Sequence, residues 1–283
     1  MQAVSWPRSG AILNGRLDFF VVGAQKAGTT ALDTFLRSHP EVEMGRKKEL
    51  HFFDNEKVDW RSPDYTALNA CYDWNRPGVL RGESTPIYMY WPQSLERLRA
   101  YNREAKIVVL LRHPACRAHS HWKMEVVRGK EDFPFRLAIA DVGRLRIKAE
   151  PNGVHRVFSY VERGFYSVQI ARILRYFPLR NVLFLRTDDL WRDPAQSFAR
   201  VAGFLGIDAR GFGSVQKEYV IPLKPADLAP MSADERADLD AIYRNDMEDT
   251  ALLSGLDLSD WFDPNYAEPM QQGLYPARVG LAA

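Results

Sequence analysis

Eight residues, Gly23-Ala-Gln-Lys-Ala-Gly-Thr-Thr30, combine two glycines, one lysine and two hydroxyls. Glycine loops of this kind bind anions through backbone N–H groups at a helix start. Gly23 and Gly28 are spaced as in the nucleoside-triphosphate loop G-x-x-x-x-G-K-[ST], yet Thr29 and Thr30 follow the second glycine and Lys26 sits inside the loop. No K-[ST] pair is left to place Mg²⁺, the ion that triphosphate chemistry leans on. A single phosphate beside one cation suits such a cradle better, with the lysine aimed at a leaving-group oxygen.

Two further stretches carry chemistry. In Leu111-Arg-His-Pro-Ala-Cys-Arg-Ala-His-Ser120, Arg112 offers a rigid donor fork for a phosphate, and Ser120 adds a hydroxyl eight residues later. In Lys47-Lys-Glu-Leu-His-Phe-Phe-Asp54, Glu49 is a candidate base and His51 its close competitor, because an unperturbed imidazole titrates near neutrality. Glu49 and His51 lie two apart, so an extended segment sends both side chains to one face. Desolvation beside Phe52 and Phe53 would raise the Glu49 pKa, and Lys48 would oppose that. Asp54 either orients His51 or Lys48 or serves as a turn residue. His113, His119 and His121 cluster near Arg112. A polar helix surface beside a phosphate site accounts for them, and no metal site is expected.

The elements that must position these groups are readable. Leu17–Val22 is an apolar run ending at glycine, and Thr29–Arg37 carries Ala31, Leu32, Phe35 and Leu36 at helical spacing before His39-Pro40. Strand, glycine loop, helix is the context a phosphate cradle needs. Lys106–Arg112 and Asn181–Arg186 are continuous apolar runs of the kind found in parallel strands covered on both faces, with Val79–Glu83 as a fourth strand. Helical patterns fall at 92–101, 115–128, 166–177 and 194–205, and Ser232-Ala-Asp-Glu235 is a capping box opening a helix to about Asp246. Alternating strands and helices predict a three-layer α/β domain with a central parallel sheet flanked by helices.

G-x-Q-K-x-G-T-T resembles the 5′-phosphosulfate loop of the sulfotransferases that use 3′-phosphoadenosine 5′-phosphosulfate (PAPS), and L-R-H-P-A-C-R-A-H-S resembles their 3′-phosphate motif. K-K-E-L-H-F-F-D resembles the catalytic-glutamate segment of the heparan-type glycan branch. G-F-Y-S-V-Q-I-A-R-I-L-R-Y-F-P, followed by N-V-L-F-L-R-T-D-D-L-W-R-D-P, resembles that branch's later helix, strand and D-P turn. The resemblance runs from about Asp18 to Leu205. It implies a P-loop-like fold and sulfuryl transfer from PAPS, with adenosine 3′,5′-bisphosphate as product and no metal. Gly23, Gln25, Lys26, Ala27, Gly28, Thr29 and Thr30 would bind the 5′ end of the donor, and Arg112 with Ser120 its 3′-phosphate. Lys26, Glu49 and His51 would be catalytic, with Lys48, Asp54 and Ser84 facing the hydroxyl, or alternatively an amine, of an acceptor that is a saccharide or a small natural product. The chain departs from the branch at Gly82-Glu-Ser-Thr-Pro86, where Ser84 replaces a lysine. It also lacks a K-G-R-x-H-P-like stretch, whose place Gln216-Lys-Glu-Tyr219 and the residues beyond it would take. A P-loop kinase or nucleotidase and a non-catalytic adenine-nucleotide-binding module are the alternatives, separated by Mg²⁺-independent turnover and by product formation.

The chain has 283 residues, 46% hydrophobic and 26% charged, with Lys+Arg 38 against Asp+Glu 36 for a net charge of +2. That balance argues against nucleic acid as the main partner. No run reaches the roughly 20 apolar residues of a membrane helix, and the first residues lack a signal-peptide core. A cytoplasmic location is expected. With only Cys71 and Cys116, free and partly buried thiols are expected rather than a disulfide framework. Trp60, Trp74, Trp91 and Trp122 read as core or cleft lining, and Trp261 as an anchor for the last helix. One domain is expected over 1–283, with a loose stretch at 1–16 and a surface strap at 263–283.

Overall fold

The computed structural model describes residues 15–211 and 229–269. The stretch 216–219, most of the N-terminal stretch and the end of the C-terminal strap lie outside the described residues. Five strands, β1 (Phe19–Gly23), β2 (Val42–Met44), β3 (Leu80–Ser84), β4 (Lys106–Leu111) and β5 (Val182–Arg186), form one sheet in the order β2-β3-β1-β4-β5. Every pairing is parallel. All five residues of β1 are buried, as the unbroken apolar run requires of a strand covered on both faces.

The helices are α1 (Thr29–Ser38), α2 (Thr66–Asn69), α3 (Ser94–Tyr101), α4 (Pro114–Val127), α5 (Phe135–Ile139), α6 (Asp141–Lys148), α7 (Tyr166–Tyr176), α8 (Thr187–Arg192), α9 (Pro194–Leu205) and α10 (Ala233–Ser254). Ala31, Leu32, Phe35 and Leu36 form the buried face of α1, and Phe35 stacks on Phe198 of α9. Asp193, from the D-P turn, caps α9 by accepting from the Gln196 N–H at 2.9 Å, and Gly206 closes it in the left-handed region. The capping box at Ser232 and Glu235 is formed.

Five strands and helices escape the sequence patterns: β2, α2, α5, α6 and α8. β2 is only three residues long. α5 and α6 are short and lie beyond the expected stop of α4. α10 runs to Ser254, eight residues past expectation, because its buried stripe continues through the polar Asp246 and Thr250. The Asp246 carboxylate accepts from the Tyr166 and Ser167 N–H groups at 2.7 and 3.1 Å, so a buried carboxylate satisfies the open end of α7.

Because the strands are parallel, their carboxyl ends lie on one side. Strand order reverses between β1 and β4, where ligands bind in open α/β sheets. The loop at 24–28 follows β1 and Arg112 follows β4, so both flank that crevice.

Candidate active site

Gly28 is the N-cap of α1 at φ 91° and brings no side-chain cap, leaving the first N–H groups of the helix for another acceptor. A Cβ at Gly23 would lie 1.9 Å from Met89 Sδ, so a side chain there would require the buried Met89 to move. The loop between them is held from three sides. Arg112 donates to the Lys26 carbonyl at 2.9 Å, the Thr187 hydroxyl lies 2.7 Å from the Ala27 carbonyl, and Arg163 donates to the Gln25 side chain. Arg163 lies in no motif, and Thr187, although inside N-V-L-F-L-R-T-D-D-L-W-R-D-P, carries nothing there that points to the loop. They are found only through packing.

Lys26 adopts φ 72°, a region that non-glycine residues seldom occupy. Burial lowers its pKa to about 8, helped by the charges of Arg112 and Arg128 and opposed by Glu125 and Glu49. Thr29 is buried and Thr30 half-buried at the helix start. Two glycines, a lysine and open helix N–H groups fit a 5′-phosphosulfate group.

Arg112 points its fork at the carboxylate of Glu268, with both contacts at 2.5 Å. Burial disfavours its charge, but Glu268 more than compensates and raises its pKa. A carboxylate thus occupies both donors of this fork. Glu268 belongs to the segment after α10, which Tyr266 and Trp261 anchor to Asp188 at 2.7 and 3.2 Å. Ser120 lies half-buried on α4, its hydroxyl without a hydrogen-bond partner among the described residues.

Lys48 donates to Glu49 Oε1 at 2.8 Å, and His51 Nε2 lies 3.3 Å from Glu49 Oε2. His51 Nδ1 lies 3.0 Å from Asp54 Oδ2, and Arg156 donates to the same carboxylate and, at 2.5 Å, to the Asp54 carbonyl. Arg156 stands 102 positions away in sequence and also covers the Trp91 ring. Its role is invisible without the fold. Glu49 and His51 sit at φ 63° and 54°, so the segment is not extended as expected, yet the two side chains still meet.

The charge states differ from expectation too. Burial works to raise Glu49, but hydrogen bonds from His51 and Lys48 and their charges win and bring its pKa down to about 2. The Asp54 and Glu49 hydrogen bonds lift His51 to about 9 against the pull of burial. At neutral pH His51 is an imidazolium with both nitrogens turned to carboxylates.

Other expected groups lie elsewhere. Ser84 is 2% exposed, so its hydroxyl does not face an acceptor, and Asp54, at 0%, orients His51. His113 and His121 are fully buried rather than surface groups, and burial lowers both pKa values, His113 to about 3. Trp122 is buried, whereas Trp60, Trp74 and Trp91 are half-buried against the core. Trp261 is buried in the segment that follows α10. Both cysteines are free and partly buried. Among the described residues no group of three or more His, Cys, Asp or Glu could hold a metal, and no helix is long and apolar enough to cross a membrane.

A sulfotransferase from Alicyclobacillus acidocaldarius superposes with a TM-score of 0.72 at 28% identity, covering 88% of this chain and 99% of that one. Human heparan sulfate glucosamine 3-O-sulfotransferase 3B1 is 31% identical over 66% of this chain and 45% of its own length. Human heparan sulfate glucosamine 3-O-sulfotransferase 6 is 32% identical over 66% and 51%. The chain thus spans about half the length of the curated relatives it matches. Residues 16–261 match the profile of the sulfotransferase domain, and with the glycine loop at the sheet's switch point the chain belongs to the sulfotransferase domain family.

Proposed function

We propose that this domain transfers a sulfuryl group in line from PAPS to a hydroxyl of an anionic saccharide. The donor supplies a sulfuryl group activated by its anhydride bond to the 5′-phosphate of a nucleotide. The N–H groups at Gly28, Thr29 and Thr30, with the threonine hydroxyls, would hold that phosphate. Arg112 and Ser120 would take the 3′-phosphate, which must displace Glu268. Lys26, protonated below about 8, would neutralise the bridging oxygen as its bond to sulfur breaks.

One observation carries the catalytic part: the Glu49 N–H donates to the carbonyl of Ser84 at the end of β3, the strand paired with β1, from whose end the Lys26 loop departs. A base and a leaving-group cation thus stand together at the strand ends. The acceptor oxygen bonds to sulfur, its proton passes to Glu49, and adenosine 3′,5′-bisphosphate departs. A carboxylate held near 2 is a weak base. It suits a late proton transfer, after attack has made the acceptor oxygen strongly acidic. His51, already protonated at neutral pH, would orient Glu49 rather than compete with it.

The acceptor class rests on charge. Lys26, Lys48, Arg128 and Arg156 gather around Glu49 and the glycine loop, and Arg46 and Lys47 are exposed beside them. The names of the curated relatives state heparan sulfate glucosamine as their substrate, an anionic sugar of this kind. Transfer of labelled sulfuryl from PAPS in the presence of EDTA tests this reading. Heparan sulfate oligosaccharides should accept label and neutral maltooligosaccharides of equal length should not. Equal labelling of both would remove the anionic acceptor, and loss of transfer with EDTA would contradict the metal-free step.

A further inference from the structure

The backbone amides of the loop that carries Glu49 and His51 are held by one neighbouring segment. The Glu49 N–H donates to the Ser84 carbonyl at 3.1 Å, and the Leu50 N–H to Glu83 Oε1 at 3.2 Å. The His51 N–H lies 3.5 Å from Thr85 Oγ1. The Phe52 and Phe53 N–H groups donate to the Tyr88 hydroxyl at 3.0 and 3.3 Å. Five consecutive amides therefore meet one short stretch, 83–88, and four of the five meet side chains.

That stretch is itself fixed. Glu83 and Ser84 pair with Phe20 and Val21 in the sheet, the Thr85 N–H donates to the Val21 carbonyl at 3.2 Å, and the Thr85 hydroxyl donates to Glu83. Glu83, Thr85 and Tyr88 are each at most 2% exposed, so none can touch an acceptor. Meanwhile Glu49 and His51 both sit at positive φ, a conformation that persists in non-glycine residues only where the surroundings over-determine it.

We propose that Glu83, Thr85 and Tyr88 are positioning residues for sulfuryl transfer, a buried side-chain template that holds the strained Glu49–His51 loop against the sheet. The proposal rests on the reading of Glu49 and His51 as the acceptor-side machinery. It also accounts for the departure at Ser84: residue 84 meets the loop through its backbone carbonyl, and the side chains that meet the loop belong to Glu83, Thr85 and Tyr88. Burial raises Glu83 to about 7 against the hydrogen bonds of Thr85, Tyr88 and Leu50, as befits a carboxyl committed to internal partners.

The test combines Glu83→Ala, Glu83→Gln and Tyr88→Phe with three readouts: kcat, affinity for adenosine 3′,5′-bisphosphate, and the His51 titration followed by NMR. Glu83→Ala should lower kcat by about 10²-fold, the scale of a small misplacement of catalytic groups. Affinity for the bisphosphate should stay at the wild-type value, because the donor loop is held by other residues. The His51 midpoint should fall from about 9 toward the ordinary 6.5 as its carboxylate partners drift. Glu83→Gln keeps an oxygen for the Leu50 N–H and should recover most of kcat. Should Glu83→Ala fail to fold, Tyr88→Phe releases two amides of the same loop and should move kcat and His51 in the same direction. Unchanged kcat and unchanged His51 titration in the folded variants would overturn the proposal. A parallel loss of kcat and bisphosphate affinity would also overturn it, since that marks general damage. A shifted His51 with normal kcat would uphold the positioning role and remove instead the reading of Glu49 and His51 as catalytic.

Discussion

Glu49 and His51 form an ion pair whose two members titrate far from neutrality in opposite directions. Glu49 keeps its charge until pH falls through about 2, and His51 keeps its proton until pH rises through about 9. Lys26 loses its charge earlier, above about 8. The free enzyme should therefore show kcat/KM flat through the acidic and neutral range and falling on the alkaline side, first near 8. Glu49→Gln keeps shape and removes basicity, so it should lower kcat by about 10²–10⁴-fold, the usual cost of losing a general base. His51→Ala should cost less, because the carboxylate remains and Lys48 still holds it. A near-normal Glu49→Gln enzyme beside an inactive His51→Ala enzyme would assign the proton to histidine. The identities of both residues were legible from K-E-L-H-F-F-D. Their charge states were not, because they depend on Lys48, on Asp54 and on Arg156, which the chain brings back from 102 positions beyond Asp54.

Among the elements, the segment after α10 bears most directly on the donor site. Trp261 and Tyr266 fasten it to Asp188, and Tyr266 stacks on His113, so Glu268 is presented to Arg112 from an anchored base. Under the proposed reading that carboxylate would compete with a 3′-phosphate for the same fork. Glu268→Gln should tighten adenosine 3′,5′-bisphosphate by roughly fivefold, equivalent to about 1 kcal/mol for a part-exposed ion pair. AMP, which lacks the 3′-phosphate, should bind unchanged in a titration of the same variant. Weaker bisphosphate binding would show that Glu268 supports the subsite instead of occupying it. The sequence shows this segment as an aperiodic strap and no more. Strands of continuous apolar residues and caps such as Ser232/Glu235 announce themselves locally. A contact between residues 112 and 268 does not.

At the scale of the whole molecule, five parallel strands deliver their carboxyl ends to one face, and the expected machinery stands at those ends. Gly23 ends β1 and Ala24 through Thr30 follow it, Glu49 and His51 follow β2, Glu83 and Ser84 close β3, Arg112 follows β4 and Thr187 follows β5. The sheet was legible because both-face burial forces unbroken apolar runs at β1, β4 and β5. β2 was not, because a three-residue strand carries too little pattern, although it launches the Glu49 loop. The central claim is that the crevice between β1 and β4 recognises a nucleotide phosphorylated at both 3′ and 5′ positions. Calorimetric titration of the wild type and Arg112→Ala with adenosine 3′,5′-bisphosphate and AMP tests it most directly. The wild type should bind the bisphosphate at least tenfold tighter than AMP, as a charge-assisted phosphate contact of about 1.5–3 kcal/mol implies. Arg112→Ala should erase most of that difference, weakening the bisphosphate far more than AMP. Equal affinities for the two nucleotides in the wild type would contradict the account.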